Sequence, residues 1–310
     1  MTHVFTPSTT PFLGCPLGSV RPGDFVIFGA GHGTPYPSES ELGYPLATLS
    51  AEAPEAIRRG ANWSSSNIDH FDFDLGGPLL ADGGRALQDA GDLVLSETDG
   101  GANRAAIQSA TAWVLGQGAV PVLLGGDDSV PVPFLRAFDQ GPIDILQIDA
   151  HIDWRDSVGG VRDGYSSTMR RASEHRPVRS ITQVGMRGVG SARAEEVQAA
   201  RDWGARLVTV EEALSLGPQG VAALVPGGGR LVVQIDCDAL DPSVCGAVNA
   251  PTPGGFQFRE LAAILRAAVG AHGLAGLSIV ELVPQADSHG LSAVAVSRLI
   301  CNAIGAAVRR

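Results

Sequence analysis

Short apolar runs alternate with longer amphipathic stretches along most of the chain. Asp24 to Gly29, Val120 to Gly126, Ile143 to Asp149, Ile181 to Gly185, Arg206 to Val210, Leu231 to Ile235 and Leu277 to Val283 read as strands. Most are near-continuously apolar, the pattern of parallel strands covered on both faces. Asn67 to Leu75 and Asp92 to Leu95 read as short extended pieces. Ala53 to Arg59, Asn103 to Leu115, Val132 to Phe138, Ala194 to Trp203, Phe258 to Val269 and Leu291 to Val308 read as helices. In the second of these, Ile107, Ala110 and Val114 make one helical stripe. Alternating strands and helices predict βαβ units with right-handed crossovers. Residues 1–24, rich in Pro, Gly and Thr, predict an N-terminal arm, and residues 25–310 a single α/β domain without a disordered linker or internal repeat. The irregular stretch 34–50 has the length of a functional loop.

Composition narrows the partners. The formal charge is -11 and every basic side chain is Arg. That balance argues against nucleic acid and anionic membranes and is compatible with a cationic substrate. Cys15, Cys237, Cys245 and Cys301 show no C-x-x-C spacing, so free thiols in a reducing compartment are expected. The N-terminus lacks a basic-then-apolar signal pattern, and no run approaches the roughly 18 apolar residues of a membrane span. A cytoplasmic protein is the expectation.

Chemistry concentrates at strand ends. Asp149-Ala150-His151-Ile152-Asp153 closes the run Ile143 to Ile148. Alternate side chains of a strand share a face, so Asp149, His151 and Asp153 point the same way if the backbone stays extended. Two more acidic clusters, Gly125-Gly126-Asp127-Asp128-Ser129 and Asp236-Cys237-Asp238-Ala239-Leu240-Asp241-Pro242, also close strands. In a parallel sheet such ends line one edge, where ligands bind. A single Asp after a strand is ordinarily a turn or helix cap. Three clusters together repel unless cations neutralise them, and two divalent ions about 3.5–4 Å apart share carboxylates well. Oxygen-rich ligation with one imidazole suits Mn, Ni, Fe or Co.

These motifs resemble the ureohydrolases, the family of arginases, agmatinases and guanidinobutyrases, and its agmatinase-like branch in particular. The family's GGDH, DAxxD and SxDxDxxDP motifs are matched in order by Gly125 to Asp128, Asp149 to Asp153 and Asp236 to Pro242. Ala53 to Arg58, Asp89 to Leu93 and Ile279 to Pro284 resemble further family segments, and the likeness covers residues 25 to 305. The resemblance implies a three-layer α/β/α fold with a mostly parallel eight-stranded sheet, shared with metal-dependent deacetylases. It implies two divalent metal ions, Mn or Ni, and a homo- or hetero-oligomer, a trimer or hexamer. The reaction it implies is attack of activated water on a guanidinium carbon, giving urea and an amine. The implied metal ligands are Asp128, Asp149, His151, Asp153, Asp236 and Asp238. Glu281 is implied to hold the substrate, and Asp153 to carry the proton to the leaving nitrogen. Agmatine, guanidinobutyrate, guanidine and substituted guanidines are the implied substrates.

The sequence departs from the family pattern. Asp128 stands where the family has a metal-binding His. Three outcomes follow from this change: an altered centre, a single-metal centre, or an inactive one. Gln234 stands in place of the usual Ser. In the loop Val161 to Ser167, Asp163, or no residue, stands for a family His; a turn residue is the alternative for Asp163. The Asp128 change motivates a second function, a metal-impaired structural or regulatory subunit beside a paralogous chain, as in biguanide-hydrolysing assemblies. A metal-dependent deacetylase is a third, though the GGD and DAH motifs fit it poorly. His32 is expected in a solvated loop, Trp154 in the pocket wall or the core, and Arg170-Arg171 on a solvated helix face or a subunit contact. Cys237, between two acids, is expected to face the core.

Overall fold

Eleven strands are present among the described residues: β1 (Phe5–Thr6), β2 (Phe25–Ala30), β3 (Phe71–Asp72), β4 (Gly77–Pro78), β5 (Leu87–Leu93), β6 (Val120–Gly125), β7 (Ile143–Ile148), β8 (Val178–Met186), β9 (Arg206–Thr209), β10 (Arg230–Asp236) and β11 (Gly276–Val280). The computed structural model describes residues 5–37, 49–63, 66–81, 84–190 and 192–310, so most of the expected functional loop at 34–50 lies outside the described residues. The main sheet has nine strands in the order β1-β5-β2-β6-β11-β10-β7-β8-β9, and β3 pairs with β4 separately. The eight strands from β5 to β9 are parallel, as the sequence predicts. The ninth comes from the N-terminal arm, where β1 pairs antiparallel with β5.

Strand alternation divides the core in two. Phe25, Ile27, Leu146 and Ile148 pack into one apolar cluster, and Val26, Phe28, Ile143 and Ile145 into the other. Helices α1 (Ala53–Ala61), α6 (Val210–Leu224), α7 (Phe258–His272) and α8 (Leu291–Val308) cover the first face and contact one another in series. Helices α2 (Gly100–Gly116), α3 (Pro131–Arg136), α4 (Thr168–Ser173) and α5 (Ala194–Trp203) belong to the second. The result is the expected three-layer arrangement, with strand C-termini along one edge.

Several elements differ from the pattern-based expectation. The extended piece placed at Asp92 to Leu95 is β5, which begins at Leu87. Gln88, Asp89 and Asp92 interrupt its apolar pattern because Asp89 and Asp92 are partners of the buried Arg58. Helix α6 has no counterpart in the sequence reading; it contains Gly217-Pro218, where Gly217 turns the chain at φ +69° while both halves keep helical geometry. Helix α8 is long and apolar enough to cross a membrane, with mean hydropathy 1.7 over 18 residues, contrary to expectation. It is instead a core helix, 72% buried between α1 and α7. Arg171 is also buried, paired with Asp156 and Glu174 rather than solvated.

Arg58 ties α1 to β5. Its Nε and Nη2 donate to both Asp89 oxygens at 2.7 and 3.0 Å, and Nη1 donates to Asp92 at 2.6 Å. Asp89 also accepts from the Phe12 amide at 2.8 Å, fixing the arm. Arg58→Ala leaves a buried carboxylate without its cation, and should cost about 3–5 kcal/mol. Urea denaturation would measure this; an unchanged midpoint and slope would show that the pair contributes nothing.

Candidate active site

Four central strands carry the site: β6, β11, β10 and β7 are neighbours in that order. Their ends deliver Asp128, Glu281, Asp236 and Asp149 to one place. Gly126 permits the approach of the β6 end to the loop after β2, because a Cβ there would lie 2.1 Å from the His32 carbonyl oxygen. The Glu281 amide donates to the Gly126 carbonyl at 2.8 Å, and the Glu281 carboxylate accepts from the Asp128 amide at 2.8 Å. Glu281 has φ +68° and Asp153 φ +47°. Such conformations cost non-glycine residues about 1–3 kcal/mol and are held where the surroundings over-determine them.

The pentapeptide converges by a different route from the expected one. β7 ends at Ile148, so the extended backbone does not persist. The Asp149 carboxylate accepts from the His151 amide at 2.6 Å, and the positive φ of Asp153 turns the chain back. Gln147 Nε2 then donates to Asp149 at 2.8 Å and to Asp153 at 3.1 Å, binding both ends of the loop. His151 Nδ1 lies 3.0 Å from Asp238 and 3.5 Å from Asp149.

Two donor groups emerge. Ligand atoms of Asp149, His151 and Asp238 lie within 4.8 Å of one another, and so do those of Asp128, Asp149 and Asp236. Asp149 is common to both, while Asp153, expected as a sixth ligand, belongs to neither and is held by Gln147 in the wall of the cavity above. That cavity, of about 140 Å³, is lined on its acidic side by Asp128, His151, Asp153, Asp236, Asp238 and Glu281. Tyr165, Ser166, Asn249 and Ala250 make the other wall, so no Arg is among the lining residues described. Five of the carboxylates, those of Asp128, Asp149, Asp153, Asp236 and Glu281, are pushed up from their ordinary range, first by burial and then by the charge of neighbouring acids, Asp238 and Asp127 among them. The His151 imidazole is pushed up to about 11 by its hydrogen bonds to Asp149 and Asp238. Asp128 Oδ2 is buried without a hydrogen-bond partner. Crowded acids, a shared central carboxylate and an orphaned carboxylate oxygen fit a pair of divalent cations.

Other acids of the motifs are structural. Asp127 accepts from the Thr34 amide at 2.8 Å and from Ser129 Oγ at 2.6 Å, capping the turn. Asp241 accepts from the amides of Ser243 and Gly254 at 3.0 and 2.8 Å. Asp163 is not brought to the cavity lining; it pairs with Arg136 at 3.1 Å and Arg104 at 3.8 Å. Tyr165 and Ser166 from the same loop take the wall position instead. Trp154 is in the core, donating to Gln183 at 2.6 Å, and Cys237 is in the core as expected. His32 is buried rather than solvated; Asn103 Nδ2 meets its Nδ1 at 3.2 Å, and burial next to Arg104 pulls it down to about 4.

Sequence reasoning singled out Gln234 but missed the row of buried polar residues beneath the acids to which it belongs. Ser278, Gln234, Gln147 and Gln183 stand in register across β11, β10, β7 and β8, and all are fully buried. Gln183 donates to Gln147 Oε1, and Gln147 donates onward to the carboxylates. Amides in otherwise apolar strands, two residues before Asp149 and Asp236, were the available signal. Arg187 was also missed; it donates to the Asp238 and Thr252 carbonyls at 2.6 Å each and braces the loop after β10.

The raised values set a pH dependence for protein stripped with EDTA. A carboxylate or His whose folded pKa exceeds its unfolded value contributes stability below the unfolded value and loses it as pH rises through the folded one. For His151 that window runs from 6.5 to about 11, and the raised carboxylates act in the same direction. His32 acts oppositely, but only between about 4 and 6.5. Between pH 7 and 8.5 the Tm of stripped protein should therefore fall by about 2 °C or more per pH unit. Divalent cation should raise Tm more at pH 8.5 than at pH 7. A Tm that rises with pH over this window would contradict the electrostatics of the cluster.

Known proteins resemble the chain over most of its length. The family model described as the arginase family matches residues 47–305. The proclavaminate amidinohydrolase of Streptomyces clavuligerus is 29% identical over 285 residues, covering 89% of this chain and 85% of that protein. The formimidoylglutamase of Halobacterium salinarum is 31% identical over 271 residues, covering 83% and 81%. The structure of the S. clavuligerus proclavaminate amidinohydrolase superposes with a TM-score of 0.82 at 26% identity, over 97% of this chain and 98% of that one.

Proposed function

The chain belongs to the arginase family, and on that premise we propose that it is an agmatinase-like amidinohydrolase that releases urea and an amine from a small cationic guanidino compound. The observation that carries this reading is the pair of donor groups sharing Asp149 at the base of an acid-lined cavity. Asp128, Asp149 and Asp236 would hold one divalent ion, and Asp149, His151 and Asp238 the other, with Mn or Ni suited to these donors. When bound, the ions would supply the positive charge that makes water nucleophilic at neutral pH.

The protein's own groups do the rest. Glu281, fixed by the Asp128 amide, presents buried negative charge to the guanidinium and orients its carbon. Asp153, held by Gln147 Nε2, takes the proton from the attacking water and returns it to the leaving nitrogen. The hydroxyl-bearing and amide residues Tyr165, Ser166 and Asn249 face the remainder of the substrate. A wall that is acid-lined and, among the described residues, without Arg favours a cationic or neutral tail over a carboxylate. The orphaned Oδ2 of Asp128, within the acid cluster, supports a working centre over a metal-impaired subunit.

The test is direct. Purified protein is loaded with Mn or Ni and assayed for urea release from agmatine, guanidinobutyrate, guanidine and substituted guanidines. Urea from one of these, with two ions per chain, is expected. Neither bound metal nor urea from any of them would overturn the proposal.

A further inference from the structure

Asp128 and Gln234 are linked across the sheet. Gln234 Nε2 donates to Asp128 Oδ1 at 2.6 Å, with both side chains buried. The two residues lie on strands that are not neighbours, because β11 runs between β6 and β10. The residue of β11 in register with Gln234 is Ser278, whose small side chain leaves the glutamine room to extend toward the end of β6. Strands lie about 4.8 Å apart, so the link must cover roughly twice that distance. A long amide does so; a serine at 234 would stop well short. Gln234 faces the same side of the sheet as Asp236, two residues on.

The link determines what Asp128 has left to offer. The Asp128 backbone is fixed on both sides: its amide donates to Glu281, and its carbonyl accepts from the Thr168 hydroxyl. With Oδ1 taken by Gln234, Oδ2 remains, buried and without a partner, in a residue grouped with Asp149 and Asp236. A side-chain amide that donates to a carboxylate has its orientation decided, since the flipped amide would set oxygen against oxygen.

We propose that Gln234 is a positioning residue that holds Asp128 Oδ1 so that Oδ2 is presented as a metal ligand, the two residues acting as one unit. The two departures from the family motifs, Asp128 for His and Gln234 for Ser, are then a single compensated change. Gln234 is not among the residues lining the cavity, and its amide nitrogen acts through Asp128. This rests on the binuclear-centre reading above.

The experiment measures metal rather than turnover. Metal stoichiometry by mass spectrometry and Mn affinity by chelator competition are taken on wild type, Gln234→Met, Asp128→His, the double variant Asp128→His/Gln234→Ser, and Asp149→Ala. Met keeps the length of Gln and removes the donor. Gln234→Met should retain one ion tightly and bind the second at least about tenfold more weakly, the range found for outer partners of ligands. Asp128→His alone should also weaken the second ion, because Gln234 has lost its acceptor. The double variant should recover to within about threefold of wild type, a rescue that a merely structural glutamine would not give. Cobalt absorption gives an independent readout: the band of the second ion should shift in Gln234→Met and not in the remote variant Arg298→Met. If Gln234→Met binds two ions with wild-type affinity while Asp149→Ala loses them, the linkage is wrong and the centre stands. If wild type binds no metal, the centre itself is wrong and the linkage falls with it. Should Gln234→Met not fold, Asp128→His against the double variant decides, with equal affinities overturning the linkage.

Discussion

Asp149→Ala should lower urea release by more than about a hundredfold and remove both metal ions. Asp149 is the one carboxylate shared by the two donor groups, so its loss takes a ligand from each. Removing an outer partner of a ligand already costs about 10–100-fold in affinity or activity, and a shared ligand must cost more. The loop should survive the substitution better than the site does. Its turn depends also on Asp153, which Gln147 still holds, and on the Ala150 amide, which donates to Asp238 at 3.1 Å. Removing one buried carboxylate also relieves repulsion on Asp128, Asp153, Asp236 and Glu281, each held well above its usual range by burial and by neighbouring charge. The stripped variant is therefore expected to be as stable as stripped wild type. Urea release, metal content and a thermal melt measure the three parts. Wild-type metal content with full activity in Asp149→Ala would remove the binuclear assignment.

Glu281→Gln should lower kcat/KM by about a hundredfold or more with the metal content unchanged. The substitution preserves shape, and the side-chain carbonyl of Gln can still accept from the Asp128 amide, as Glu281 does at 2.8 Å. What disappears is a buried negative charge in the cavity wall. Removing one partner of a buried, hydrogen-bonded charge pair costs about 2–5 kcal/mol, mostly because the other charge is left uncompensated. Here that other charge is the substrate's guanidinium, so the loss appears in substrate turnover and not in metal binding. A neutral substrate analogue should lose less than a cationic one. Equal loss for both, or loss of metal, would reassign Glu281 from the substrate to the metal centre.

The two substitutions divide the site by chemistry, and the division was partly visible beforehand. The ordered clusters at Asp127-Asp128, Asp149 to Asp153 and Asp236 to Asp241 could be read from spacing, because strands in a parallel sheet end on one edge. Spacing and composition alone did not say which acids were caps; the resemblance left out Asp127 and Asp241, and the structure shows what they do instead. Asp127 and Asp241 have the same composition and context as Asp128 and Asp238, yet their oxygens are consumed by turn amides. Only the three-dimensional path of each loop separates a cap from a ligand. Asp163 illustrates the opposite error. It lay at a suggestive place in the chain, and Arg136 on α3 and Arg104 on α2, distant in sequence, hold it away from the cavity lining.

Elements follow the same rule. Strands that are largely apolar on both faces, such as β7 and β10 with Gln147 and Gln234 among the exceptions, were legible because burial on both sides favours apolar residues. β5 was misplaced and α6 missed where local signals were overridden from elsewhere. A buried ion pair with Arg58 makes Asp89 and Asp92 acceptable within a sheet, and a single positive φ lets Gly217-Pro218 sit inside a helical segment.

The sequence by itself determined the fold class and the family and pointed to six candidate metal ligands, five of which fall in the two donor groups while Asp153 falls in neither, because hydrophobic periodicity and motif order are properties of the chain read along its length. The tertiary structure decided how those residues converge. It turned Asp153 through a positive φ, stacked glutamines beneath the carboxylates, and brought Gln234 to Asp128 across an intervening strand. The physical reason is that such contacts are set by strand order and register, and the chain between Asp128 and Gln234, 106 positions apart, carries no local signal of either.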